Sequence, residues 1–198
     1  VGKRAEIPPP PAEGQGVRSL KNFSYRVYYG QWDRLPNFER LEAKQTGEGS
    51  GSEISGIIDL DLAKRNKPFG MEFEGELEIK EAGEYTFKLG SDDGSRLFIN
   101  GQQIIDNDGL HAMEYMKGSI KLEPGDAAIR VQYFERGGAN RLSLSVSGPG
   151  MENVHLSKHE PHSGDFMAAM ISALPRWAQG TVRGWRSNAG GGNLAHLW

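Results

Sequence analysis

The chain has 198 residues, room for one domain of ordinary size plus flanks, with a core that needs no covalent staples. Its formal net charge is -3 and its Lys and Arg residues are scattered, which argues against nucleic acid as a partner. It has no cysteine, so disulfides, thiolate metal sites and cysteine nucleophiles are excluded, and no apolar run long enough for a spanning helix.

Residues 1–19 read as a linker. Pro8 to Pro11 favour an extended polyproline segment, and the flanking Gly and charged residues offer no core face. The start at Val1 implies a processed chain or a piece of a longer one, with another module upstream. Residues 20–150 carry short strand patterns instead. "FSYRVYY" and "GIIDLDL" are expected strands, and "MEFEGELEI" (71–79) alternates without a slip. Met71, Phe73, Leu77 and Ile79 share one face with Gly75, while Glu72, Glu74, Glu76 and Glu78 form a charged outer face. "YTFKL" follows the turn "EAGE". "RLFI" and "QQII" flank Asn100-Gly101, the strongest short hairpin signal. "SIKL" ends at "EPGD", "AAIRVQYF" turns Ala127, Ile129, Val131 and Tyr133 to one face, and "RLSLSV" turns its serines outward. Short strands between Gly-rich turns, with no long helical pattern, predict an all-β fold, an antiparallel β-sandwich or barrel. Residues 151–198 lose that pattern and read as a tail or the start of a following region. Phe166, Met170 and Leu174, joined by Met167 and Ile171, predict a helix near 165–178 with Asp165 as N-cap.

Two acidic clusters stand out. Asp92 and Asp93 are adjacent in "SDDG", and Asp106 and Asp108 follow in "DNDG". One reading makes both ordinary turns, since Asp bonds its own backbone and Gly supplies positive φ. The other starts from repulsion: neighbouring carboxylates that converge need a cation between them. Calcium suits that role, because it accepts six to eight oxygens in loose geometry. "ERGGANR" (135–141) would complete such a shell, with close-approaching carbonyls at Gly137 and Gly138 and the amide oxygen of Asn140. For Asp106 and Asp108 the turn reading comes first, because "LHAMEY" lacks the later positions of a calcium-binding helix–loop–helix. His111 is expected to satisfy a local contact.

"GEYTFKLGSDDGSRLFINGQQIIDNDG" and "KGSIKLEPGDAAIRVQYFERGGANRLSLSVSGPG" together resemble a PA14 domain, and "YRVYYGQWDRLPNFERL" is similar to the opening of versions found in bacterial multi-domain proteins. The resemblance covers about residues 20–150 and implies a β-sandwich. In sugar-binding members the Asp-Asp pair is joined by a cis peptide bond that turns both carboxylates onto one calcium, and vicinal sugar hydroxyls complete the metal's coordination. By that likeness Asp92 and Asp93 would be carboxylate ligands, with Gly138 and Asn140 supplying the second loop's oxygens and Gly137 and Ala139 lining the ligand. "ERGGANR" has no aromatic residue to stack on a sugar, so affinity for a single sugar is expected to be weak, about millimolar.

Other chemistry is thinner. His155, His159 and His162 could offer imidazoles to zinc or nickel, but Pro161 breaks any shared helical face. Trp177, Trp185 and Trp198 read as packing anchors. The chain lacks the nucleophile elbow, the zinc-protease helix motif and both nucleotide fingerprints, so it is not expected to be an enzyme. The expectation is a calcium-dependent, lectin-like carbohydrate-binding module of an exported bacterial protein, extracellular, at the cell surface or periplasmic. Its partners would be a glycan or cell-surface polysaccharide and the other domains of a longer chain. The alternatives are a structural or interaction spacer, and an accessory domain of a larger glycan-processing enzyme.

Overall fold

The computed structural model describes residues 19–49, 56–64 and 68–158. Ten strands follow in chain order: β1 (Lys21–Tyr29), β2 (Gln45–Gly49), β3 (Phe69–Ile79), β4 (Gly83–Asp92), β5 (Ser95–Ile99), β6 (Gln102–Asn107), β7 (Glu114–Leu122), β8 (Gly125–Glu135), β9 (Arg141–Gly148) and β10 (Met151–His155). They form two antiparallel sheets. One has six strands in the order β2-β1-β3-β8-β5-β6, the other four in the order β10-β9-β4-β7. The fold is all-β, as the alternation predicts.

Period-two patterning places the core. Met71, Phe73, Leu77 and Ile79 of β3 and Ile129, Val131 and Tyr133 of β8 are buried from the six-stranded side. Tyr85, Phe87 and Leu89 of β4, with Leu144 and Val146 of β9, close it from the other side. β3 and β8 pair without interruption from Phe69↔Glu135 to Ile79↔Gly125, so the two longest strands form the spine of their sheet. Asn100 (φ 49°) and Gly101 (φ 79°) both take the left-handed region, as a two-residue hairpin between β5 and β6 demands.

Three expectations are corrected. "GIIDLDL" is not a strand: Ile58 makes one parallel bridge to Ser157, and Asp59 then accepts from the Asp61 amide at 2.9 Å to cap a 3-10 turn at Leu60–Ala63. The sandwich also runs past residue 150. β10 pairs with β9, and Val154 and Leu156 are buried in the main core, because Val154 keeps an inward position despite its polar neighbours. Thirdly, the outer face of β3 is not all solvated. Glu72 is only 4% exposed, held by Tyr28 of β1 and Gln132 of β8, and Tyr28 joins Leu35, Phe38 and Phe134 in a second small core. β2 and its glycine-rich "QTGEG" carried no apolar alternation to announce it. Residues 1–18 of the expected linker, the expected helix at 165–178, His159, His162 and the three late tryptophans lie outside the described residues. No helix among the described residues is long and apolar enough to cross a membrane.

Candidate functional site

Asp92 ends β4 in the four-stranded sheet, and Ser95 begins β5 in the six-stranded one. The turn at Asp93-Gly94 is therefore a crossover between sheets rather than an ordinary turn within one sheet. The crossover is tightly built. Gly94 has no room for a side chain: a Cβ there would lie 2.5 Å from the Phe134 ring and 2.8 Å from the Gly109 nitrogen. Its carbonyl accepts from the Phe134 amide at 3.0 Å. On the buried side, the Ser91 and Ser95 hydroxyls lie 2.6 Å apart, and the Asn107 amide donates to Ser91 Oγ at 3.0 Å.

The Asp92–Asp93 peptide bond is cis. Asp93 is 7% exposed. Its Oδ1 accepts from the His111 amide at 3.2 Å and its Oδ2 from the Arg136 amide at 3.0 Å. Each oxygen keeps a lone pair free for a further partner. A third carboxylate joins the pair. Glu135, 4% exposed, closes β8, and one oxygen from each of Asp92, Asp93 and Glu135 lies within 4.8 Å of the others. Glu135 Oε1 is buried and, among the described residues, has no hydrogen-bond partner. Its Oε2 lies 3.0 Å from the Tyr133 hydroxyl, which also lies 2.6 Å from the Asp92 carbonyl oxygen. A phenol has one proton, so it cannot donate fully to both.

Three acids at such range repel one another. Burial pushes the Asp92 carboxyl above its ordinary value, and the Asp93 charge adds to the effect. Burial likewise raises Glu135, with Asp93 and Asp92 contributing against the lowering bonds from the Tyr133 hydroxyl and the Gly137 amide. Burial raises Tyr133 strongly, and the Glu135 charge adds to it. Arg141, opposite Asp92 on β9, and His111 oppose the rise at Asp92 without cancelling it. The Arg136 guanidinium turns away to pair with Asp33. His111 is held by its ring nitrogens, Nδ1 at 2.9 Å from the Ala112 carbonyl and Nε2 at 3.0 Å from that of Asn107. Both contacts are hydrogen bonds only when the ring carries two protons. Burial lowers the His111 pKa, but the two carbonyls outweigh it and the net direction is up.

Gly137, Gly138, Ala139 and Asn140 lie in the exposed connection between β8 and β9, beside the acids in sequence. Gly138 has φ 115°, which favours glycine there. Among the described residues, no side-chain hydrogen bond joins Asn140 to Asp92 or Asp93. The structure thus brings Glu135 to the pair, a residue that motif reading missed. Its signal was available: Glu135 continues the inward phase of Ala127, Ile129, Val131 and Tyr133. Asp106 and Asp108 belong elsewhere. Asp108 pairs with Arg96 at 2.9 Å and accepts from the Leu35 amide at 2.7 Å, and Asp106 pairs with the same arginine at 3.2 Å. They brace the loop over the six-stranded sheet. His155 lies on β10, in the four-stranded sheet.

Residues 50–158 match the family model of the PA14 domain. The chain belongs to the PA14 family. No curated protein sequence matches it. Among solved structures, the PA14 domain of the MpAFP antifreeze protein is 22% identical, with a TM-score of 0.55 over 71% of this chain and 89% of that one. A PA14 sugar-binding domain from an RTX adhesin is 20% identical, with a TM-score of 0.53 over 71% of this chain and all of that one. An anti-sigma factor domain-containing protein is also 20% identical, with a TM-score of 0.51 over 71% of this chain and 46% of that one. At this identity the likeness establishes the PA14 fold.

Proposed function

We propose that this PA14 domain is a calcium-dependent carbohydrate-binding module of an exported bacterial protein. The observation that carries the reading is the orphaned Glu135 Oε1, buried beside two carboxylates that converge at a sheet crossover. A spacer domain has no use for three repelling acids with one oxygen unsatisfied, whereas an oxygen-seeking cation suits that donor set. Asp92, Asp93 and Glu135 would hold it, with Gly138 and Asn140 in the adjoining loop supplying neutral oxygens. Bound calcium offers its remaining coordination positions to vicinal hydroxyls. The chain's own part is to hold the acids: the His111 and Arg136 amides orient Asp93, and Tyr133 anchors the Asp92 carbonyl. Support for sugar as the ligand comes from the fold shared with the adhesin's sugar-binding domain. An adhesive role outside the cell follows from that ligand class.

Melting curves in EDTA and in calcium test the reading. A site present only in the folded protein stabilises it by about 2.7 kcal/mol when the ion is at a hundred times its Kd. Asp93→Asn should lose that shift and, on a glycan array, the calcium-dependent signal. Identical transitions in EDTA and calcium for the parent protein would remove the metal, and with it the proposed docking point.

A further inference from the structure

The outer face of the four-stranded sheet leads away from the carboxylates, and its residues form an ordered series. With Tyr85, Phe87 and Leu89 turned into the core, β4 presents Asp92, Gly90, Lys88 and Thr86 outward. Three of these have a β7 neighbour: Gly90 faces Tyr115, Lys88 faces Lys117 and Thr86 faces Ser119, while Asp92 faces Arg141 of β9. Successive rows are about 6.5–7 Å apart along the strand. The Tyr115 ring lies against Gly90, where a Cβ would come within 2.4 Å of it, and the residue is still 41% exposed. Lys88 Nζ sits 4.3 Å from the centre of that ring. Moving from the acids along the sheet, one therefore meets an aromatic ring with the Lys88 ammonium over it, and Lys117 in the same row as Lys88.

That pair is a liability for folding alone. Like charges directly opposite across an antiparallel ladder destabilise it. Lys21, Lys44 and Lys158 each have a carboxylate partner. Among the described residues, Lys88 and Lys117 have none, as is also true of Lys64, Lys80 and Lys121, but only Lys88 and Lys117 stand directly opposite each other across a ladder. Two unneutralised cations side by side stand out in a chain of net charge -3. An acidic ligand lying across the row would supply the missing charge.

We propose that this face extends the candidate site into a track for an acidic polysaccharide, with one sugar at the Asp92–Asp93–Glu135 cluster, the next over Tyr115, and a carboxylate or sulfate received by Lys88 and Lys117. The inference rests on the carbohydrate reading of that cluster and names its ligand class. Two lysines are too few to follow a phosphate backbone, and the spacing from the acids to the cations suits a sugar chain that presents hydroxyls at one end and charge further along.

Calorimetric titration in calcium with dextran, carboxymethyl dextran and dextran sulfate of matched length tests it, since the three share a backbone and differ in charge. Both charged polymers should bind about tenfold more tightly than dextran, the size of two exposed ion pairs. Lys88→Gln/Lys117→Gln should erase that margin and leave dextran binding as it was. Lys44→Gln/Lys80→Gln, the same charge change on other surfaces, should keep it. A preference confined to one charged polymer supports the track and identifies the group it takes. An equal loss in both double variants overturns the track, as does single-stranded DNA binding as well as dextran sulfate. Calcium-dependent dextran binding without any margin also overturns the track but leaves the metal reading standing. A margin that survives EDTA and Asp93→Asn supports the track and removes the metal reading. No binding to any of the three overturns the track, and the melting shift in calcium then decides the metal reading by itself.

Discussion

Glu135 lies where the inward phase of β8 leaves the core and meets the Asp92–Asp93 turn, so one carboxylate must serve packing and charge together. Without a cation its ionised form is opposed by both aspartates; with one, the same charge becomes a ligand. Glu135→Gln keeps the shape and removes the charge. In EDTA its melting temperature should equal or exceed that of the parent by about 3 °C, the equivalent of about 1 kcal/mol for a domain of this size. In calcium the parent's upward shift should largely vanish. A variant that keeps the full shift would remove Glu135 from the ligand set. Tyr133→Phe should act differently, costing about 1–2 kcal/mol in both conditions, because the Asp92 carbonyl loses its 2.6 Å donor either way. Asp92 and Asp93 were legible in the sequence because adjacency itself announces repulsion. Glu135 was not singled out, since its meaning lies in strand phase and in the approach of β8 to a crossover 43 to 42 residues upstream, which no local pattern shows.

The elements divide along the same physical line. β3, β4, β8 and β9 alternate strictly, and the hairpin at Asn100-Gly101 has the one dipeptide suited to two positive φ angles, so each was readable locally. β2 was not, because "QTGEG" is placed by pairing with β1 and buries little of its own. The burial of Glu72 was invisible for a related reason: it depends on partners from β1 and β8 meeting it on the outer face. There Glu72 Oε1 accepts from Gln132 at 2.9 Å, and Oε2 accepts from Tyr28 at 3.1 Å beside the Arg26 guanidinium. This network gives the sheet face a pH dependence. Burial, then the Glu72 charge, pushes the Tyr28 phenol from 10.0 up to about 12. An acid whose folded pKa is raised holds its proton more tightly when folded, so its stabilising effect is complete below pH 10 and drains away as pH rises toward 12. Unfolding free energy measured by urea titration should fall by about 2 kcal/mol across that interval from this residue. Tyr28→Phe should flatten the alkaline slope while lowering stability at pH 7 through the lost bond to Glu72. An unchanged slope in the variant would assign the alkaline loss to another group.

At the scale of the molecule, the acids occupy a junction. Asp92 closes a strand of the four-stranded sheet and Glu135 closes a strand of the six-stranded one, so a cation shared between them would bridge the two layers whose facing side chains make the core. A site that a loop could keep after the sandwich unfolds would protect only that loop from local opening. A bridge between layers binds the folded state as a whole, and every amide that exchanges only through global unfolding should gain the same protection. Hydrogen exchange in calcium should therefore slow at the centres of both β3 and β4, by about a hundredfold when calcium is a hundred times its Kd. Asp93→Asn should cancel the gain in both sheets equally. Protection limited to the turn after Asp92 and the connection from Arg136 to Asn140 would mean that the acids hold their ion at the rim, without coupling it to the sandwich.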